Sequence, residues 1–215
     1  MVKQIFIGLF VEGTTDSRFL EDIVTRTAES ISFEAKGNFQ LILENVKIEK
    51  GGKNFLEQVL TAAQKGLEEF GMMILCVHSD GDSNVYESRI KPAKEELAKQ
   101  DEQEYCKILV AIVPVQEVEA WMLADIALLK KNIGTDKSDT ELGLHRPPES
   151  VANPKELIKE AIRIARLGLT RKRRNELKIS DLYLPIGQSI DLEKLEQLPS
   201  YLVFKEDLRE AFRQW

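Results

Sequence analysis

Six carboxylates fall in three pairs, each pair directly behind an apolar run. Glu12 follows QIFIGLFV (residues 4–11), with Asp16 four residues on. Asp80 and Asp82 flank Gly81 behind MMILCVH (72–78). Glu117 and Glu119 follow KILVAIVPV (107–115). Asp80 and Asp82, two residues apart, point to the same side if the backbone stays extended. Two unit charges ~4 Å apart repel by roughly 4 kcal/mol at an effective dielectric of 20, so six carboxylates at one rim require neutralisation. Hard oxygen donors in that number suit Mg²⁺ or Mn²⁺. Asp16 and Glu117 also have a plainer reading, as helix caps or first-turn acids that favour the macrodipole. That reading serves less well for Glu12 with Asp80 and Asp82.

The elements that must bring these acids together read as alternating strands and helices. Residues 4–11, 39–48, 72–78 and 107–115 are short apolar runs with the length of buried strands. Between them lie helical stretches: one after Thr14 or Thr15 as cap, one over 54–70 with Phe55, Val59, Leu60, Ala63, Leu67 and Phe70 on one face, and a charged one over roughly 85–99. QEVEAWMLADIALLKK (116–131) reads as one amphipathic helix. The alternation predicts an α/β fold, a mainly parallel four-stranded sheet with helices on both faces. In such sheets function collects beyond the carboxyl ends of the strands. For Glu12 to share an ion with Asp80 and Asp82, the first and third strands must be neighbours, which predicts the inner order 2-1-3-4. Residues 1–131 then form the catalytic unit. Residues 132–154, rich in Gly, Pro, Ser and Asp, read as a loop or lid. From 155 onward the chain reads as helical, so 132–215 forms a lid and helical C-terminal region packed on the first unit.

The 215 residues carry 30 Lys+Arg against 36 Asp+Glu, a net charge of −6. Nucleic acid cannot be held by that net charge and would need a local basic patch, a cation or a partner. The densest basic stretch, RIARLGLTRKRRNELK, offers Arg171, Lys172, Arg173 and Arg174 as phosphate contacts. Every apolar run is broken well before the roughly 18–20 residues of a membrane span. The N-terminal run passes straight into Glu12 without a small-residue cleavage site and reads as a strand, not a signal peptide. Cys76 and Cys106, both in apolar runs, read as buried reduced thiols of a cytoplasmic protein. His78 reads as a packed or supporting residue, His145 as a surface residue and Trp121 as core. Gly51-Gly52-Lys53 lacks the spacing and the following Ser/Thr of a phosphate-binding P-loop, so any ATP hydrolysis would belong to a partner.

VEGTTDSRFLEDIV, VHSDGD and VPVQEVEAWMLAD together resemble the Toprim catalytic domain of topoisomerases, primases and OLD-type nucleases. The likeness to Toprim proper covers about residues 4–131. A Toprim-like family of bacterial proteins, domain-of-unknown-function family 4276, resembles most of the chain, including NPKE at 153–156 and IGQSIDLEKLEQLPSYLVFKEDL. The resemblance implies that the Toprim glutamate is Glu12, that the Asp-x-Asp pair is Asp80 and Asp82, and that these three are catalytic. The second acid of the OLD-type pattern falls on Asp16, with Asp in place of the usual Glu, and the later acid falls on Glu117 or Glu119. The catalytic lysine of that pattern has no assigned place; Lys50, Lys53 and the basic run after 170 all qualify. The implied activity is Mg²⁺- or Mn²⁺-dependent phosphodiester cleavage of DNA or RNA, in bacterial phage defence (abortive infection) beside an ATPase partner, by a chain that could form homo-oligomers. Two rivals stand beside it. One is a non-catalytic regulatory or scaffold subunit of such a system. The other is a phosphatase or phosphotransferase for a small phosphate ester, which would not need the basic stretch.

Overall fold

The structure is a computed structural model and describes residues 2–34, 38–81, 84–170 and 176–214. Strand β1 (Lys3–Phe10) is buried along its second half, and β3 (Ile74–His78) and β4 (Leu109–Ile112) are buried at every position. Strands with no polar face need cover on both sides, the condition met by a parallel sheet between helices. With β2 (Phe39–Asn45) they form a four-stranded, all-parallel sheet in the order β2-β1-β3-β4. This is the α/β class and the strand order that a shared site for Glu12 and Asp80 demands. Phe10 lies opposite Val77 and His78 opposite Ile112, so β1, β3 and β4 end on one rim.

Alternate residues of the strands feed two cores. On one face Ile5, Ile7, Leu9, Ile74, Cys76, Val110 and Ile112 pack against α1 (Thr14–Glu34) and the C-terminal helices. On the other, Phe10, Leu75, Val77, Leu109 and Ala111 pack against α2 (Phe55–Phe70) and α3 (Lys91–Lys99). The start of α2 is fixed by a capping box: Asn54 Oδ1 accepts from the Glu57 N–H, and Glu57 Oε2 accepts from the Asn54 N–H.

Three stretches depart from the sequence expectation. Residues 116–131 are not one helix but α4 (Glu119–Met122) and α5 (Ile126–Ile133). Asp125 leaves the helical region, and its carboxylate accepts from the Leu128 N–H, capping a new helix instead of continuing the old one. β4 stops at Ile112, short of residue 115, because Pro114 has no N–H for the ladder. A π-helical turn (Tyr86–Ile90) leads into α3, where Pro92 has no N–H to close an ordinary turn.

Residues 132–154 form little regular structure apart from a 3₁₀ turn at Pro148–Ser150, yet Leu142, Leu144 and Val151 are buried in the first core. These three side chains pack the segment onto the first core. Behind it come α6 (Pro154–Ala165), a 3₁₀ turn (Ile179–Asp181), α7 (Tyr183–Ser189), α8 (Leu192–Leu195) and α9 (Pro199–Phe212). Trp121 of α4 stacks edge-on against Tyr201, 5.3 Å between centroids, and donates from Nε1 to Ser200 Oγ at 2.7 Å. α9 also covers the open edge of β4: Asp207 accepts from the Ala111 N–H at 3.0 Å and from Lys94 Nζ at 2.7 Å. Such cover removes a template for stray strand pairing. No helix among the described residues is long and apolar enough to cross a membrane.

Helix α7 lies against α1 at Gly187, where a Cβ would stand 2.5 Å from the Phe19 carbonyl oxygen and 3.0 Å from its Cα. Backbone on both sides cannot yield as a side chain would. Gly187→Ala is therefore expected to cost about 2 kcal/mol and to lower the melting temperature by several degrees in a circular-dichroism melt. An unchanged melting curve would show that the two helices do not bear on each other there.

Candidate functional site

The carboxyl rim of the sheet carries two adjoining neighbourhoods, separated by the two-residue period of the chain leaving β3. Two residues beyond the Phe10–Val77 pair, Glu12 comes level with Ser79. Glu12 Oε1 accepts from Arg89 Nη1 at 2.9 Å and lies 3.5 Å from Ser79 Oγ, to which Arg89 Nη1 also donates at 3.2 Å. The π-helical turn delivers Arg89, and its guanidinium lies 5.6 Å from the Phe55 ring centroid. Lys50 Nζ donates to the carbonyls of Val11 and Glu12 at 2.9 and 2.6 Å. A cleft of about 250 Å³ opens beside Glu12, bounded by Asn45, Lys47 and Lys50 among others.

On the other side stand His78, Asp80, Asp16, Glu117 and Glu119. His78 is wholly buried. Its Nδ1 is 4.0 Å from Asp16 Oδ2 and its Nε2 3.4 Å from Asp80 Oδ1, and neither nitrogen has a hydrogen-bond partner. Asp16 sits in the first turn of α1, nearly buried. Glu119, 1% exposed at the head of α4, accepts from the Tyr183 hydroxyl and from Lys155 Nζ at 3.1 Å. Burial, then the charges of Asp80 and Glu119, push the Asp16 carboxyl above its ordinary value against the pull of His78 and Lys155. Burial and Glu119 raise Glu117 likewise. Burial alone would lower the Lys155 ammonium, but its hydrogen bond to Glu119 and the charges of Glu119, Glu117 and Asp16 outweigh that and raise it. The Tyr183 phenol is pushed up by burial and by the Glu119 carboxylate.

One backbone tie keeps these acids close. The Gly81 N–H donates to the Gln116 carbonyl at 3.1 Å and the Gln116 N–H donates back at 2.7 Å. A Cβ at Gly81 would lie 2.5 Å from the Pro114 carbonyl oxygen, so only glycine lets the two loops touch. Gln116 takes a φ of 67° in doing so, an uncommon conformation for a residue with a side chain.

The structure thus brings Asp16, Asp80, Glu117 and Glu119 into one electrostatic neighbourhood and puts Glu12 beside it, paired with Arg89. Asp82 and the stretch Arg171, Lys172, Arg173 and Arg174 lie outside the described residues. Among the lysines that sequence reasoning weighed, Lys50 is engaged by two carbonyls and Lys53 Nζ donates to Thr61 Oγ1. The lysine in contact with the acids is Lys155, which sequence reasoning missed along with Arg89 and Tyr183. A signal for Lys155 existed: a cation in the first turn of a helix opposes the macrodipole and calls for an acidic partner. Nothing in the sequence singles out Tyr183. His145 is exposed.

Among the described residues no group of three His, Cys, Asp or Glu side chains is already arranged to hold a metal ion. The donor chemistry nevertheless fits a hard divalent ion. Carboxylates outnumber the cations facing them, two of them are driven toward the protonated form, and a buried imidazole has both nitrogens unpaired. No family model matches this chain, and neither a curated protein nor a solved structure matches it.

Asp16 offers a direct measure of this imbalance. Its carboxyl binds a proton more tightly in the folded chain than in the unfolded one, so the fold loses stability as pH rises through the carboxylate range, and the full penalty applies above the folded value. With divalent ions chelated, Asp16→Asn is expected to melt a few degrees above the parent at neutral pH, a gain of about 1 kcal/mol. The gap should close at about pH 4 and below. A gap that is constant with pH, or an Asn variant that melts lower at neutral pH, would show that the charge at this position carries no penalty.

Proposed function

We propose that this protein is a Toprim-like, metal-dependent nuclease that hydrolyses phosphodiester bonds of DNA or RNA. The observation that carries the reading is the meeting of Asp16, Asp80, Glu117 and Glu119 with Lys155 at the carboxyl rim of a parallel sheet ordered 2-1-3-4. Asp80 and its acidic neighbours would hold Mg²⁺ or Mn²⁺, with Glu12 and Asp82 completing the Toprim set. Such an ion supplies Lewis-acid polarisation of the phosphoryl oxygens and a more acidic bound water. The chain's own groups do the rest. Lys155, kept charged by Glu119, presents N–H donors to a phosphate oxygen as negative charge grows on it. Tyr183, by donating to Glu119, fixes the carboxylate that orients Lys155. Glu12 is the candidate base, and Arg89 beside it can pass a donor to the substrate phosphate when Glu12 takes a proton. Arg171, Lys172, Arg173 and Arg174 would follow the nucleic-acid backbone, supplying the local positive charge that the net charge of −6 withholds. A place in bacterial phage defence, with an ATPase partner and in the cytoplasm, rests on the family resemblance.

One observation favours a second reading, a regulatory or scaffold subunit: Glu12 is already satisfied by Arg89 at 2.9 Å, so this acid has a partner without any ion. Cleavage assays with Mn²⁺ or Mg²⁺ on single- and double-stranded DNA and RNA separate the readings. The nuclease reading expects cleavage that falls at least about 100-fold in Asp80→Asn and in Lys155→Ala, with Arg171→Ala/Arg174→Ala weakening nucleic-acid binding and making its salt dependence shallower. Inactivity of the parent chain on every substrate favours the scaffold. Turnover of a small phosphate ester that survives neutralising Arg171–Arg174 favours a phosphatase.

A further inference from the structure

We propose that His78 is a nitrogen ligand of the divalent ion at this rim, through Nε2 and together with Asp80, and that it makes the centre select Mn²⁺ over Mg²⁺. The inference rests on the reading that the rim holds an ion, and it goes further by assigning a ligand of a different chemical type. His78 is 0% exposed and both ring nitrogens lack hydrogen-bond partners. A buried polar group left unpaired is costly, and native interiors rarely contain one without a reason. The wider core gives none: the strand positions before it, Ile74 to Val77, are apolar or thiol-bearing and pack conventionally, and only the last residue of β3 is an imidazole.

The distances support an ion more than a pair of hydrogen bonds. Nε2 to Asp80 Oδ1 is 3.4 Å and Nδ1 to Asp16 Oδ2 is 4.0 Å, both beyond the 2.7–3.2 Å of ordinary N–H···O bonds. Donors roughly 2.1 Å from a common ion stand about 3 Å apart at right angles and about 4.2 Å apart when opposed. The Nε2–Asp80 separation lies near the right-angle value. Asp80 is also the more open of the two acids, its side chain 49% exposed against 12% for Asp16, so an ion there meets solvent and substrate. Nδ1 then faces Asp16 at 4.0 Å, too far for a direct hydrogen bond but on the side where a ligating histidine usually has a carboxylate behind its second ring nitrogen. His78 and Asp80 account for two donors, and neighbouring carboxylates, water and phosphate oxygens would fill the remaining positions, as in ions that work on phosphates. An imidazole donor favours transition-series ions over Mg²⁺.

The test uses the full chain stripped of metal, with Mn²⁺ as the probe. Continuous-wave electron paramagnetic resonance counts bound Mn²⁺, and pulsed measurements on chain labelled with ¹⁵N-histidine detect nitrogen bonded to it. The chain has 2 histidines, so variants at each assign the signal. The expected result is ¹⁵N coupling in the parent and in His145→Gln, and none in His78→Gln, whose Mn²⁺ affinity drops about tenfold while Mg²⁺ competition changes less. Asp80→Asn should remove the tight Mn²⁺ site. Bound Mn²⁺ without histidine coupling in the parent overturns the proposal, leaves the metal-centre reading intact and makes His78 a bridge between two carboxylates. Coupling that persists in His78→Gln also overturns it. A chain that binds no Mn²⁺ overturns both. Parent and His145→Gln decide the matter even if His78→Gln fails to fold.

Discussion

Negative charge gathered at the end of a dry sheet is the constraint around which this molecule is arranged. A parallel sheet buried on both faces must finish its strands somewhere, and here three of the four finish beside carboxylates. Repulsion among such groups grows as water is excluded, so each acid needs a cation, a donor or a proton. Glu12 has Arg89 and Glu119 has Lys155 and Tyr183. Asp16 and Glu117 are driven toward protonation instead. A chain selected for stability alone would more simply replace those two with neutral residues, since buried charge is seldom the stabler choice.

The C-terminal region belongs to this arrangement. Lys155 opens α6 and Tyr183 opens α7, and both reach Glu119. The hydrophobic core that fixes those helices is the same one that lies under α1 and α4, so Asp16, Glu119, Lys155 and Tyr183 are held by one packed body. The aromatic contact of Trp121 with Tyr201, the Gly187–Phe19 approach and the Asp207 hydrogen bond to β4 all fasten the later helices to the sheet. These contacts do not involve the rim acids themselves, yet they set where the cations stand.

What could be read from the sequence follows a physical line. The buried strands are legible because each is a short apolar run, and their order is the one that Glu12 and Asp80 would need to share an ion, although the structure sets these two acids on opposite sides of the end of β3. The acids at the strand ends were legible because charge directly after an apolar run is conspicuous. Less legible was whatever depends on a tertiary partner. The break at Asp125 turns on one carboxylate choosing the Leu128 N–H, which a periodic pattern of apolar residues does not reveal. The segment 132–154 reads as a loop or lid because Leu142, Leu144 and Val151 are too sparse to show a period, and only folding shows that each is buried. Lys155 and Tyr183 reach the acids from far along the chain, and only folding shows that they arrive.

The strand period also explains why Glu12 does not form one ring with Asp16, Asp80, Glu117 and Glu119. Beyond His78 the chain stays extended enough that Ser79 turns toward Glu12 while His78 and Asp80 lie toward Asp16. The rim is therefore divided. One side has an arginine already in place on its carboxylate. The other has acids in excess and an imidazole with nothing to bond. A divalent ion gains most where the existing compensation is poorest, because there it relieves repulsion and burial together, whereas at Glu12 it would first have to displace a guanidinium at 2.9 Å. On the proposed reading, ion binding and proton handling are thus assigned to opposite sides of the end of β3, with the reacting phosphate spanning them.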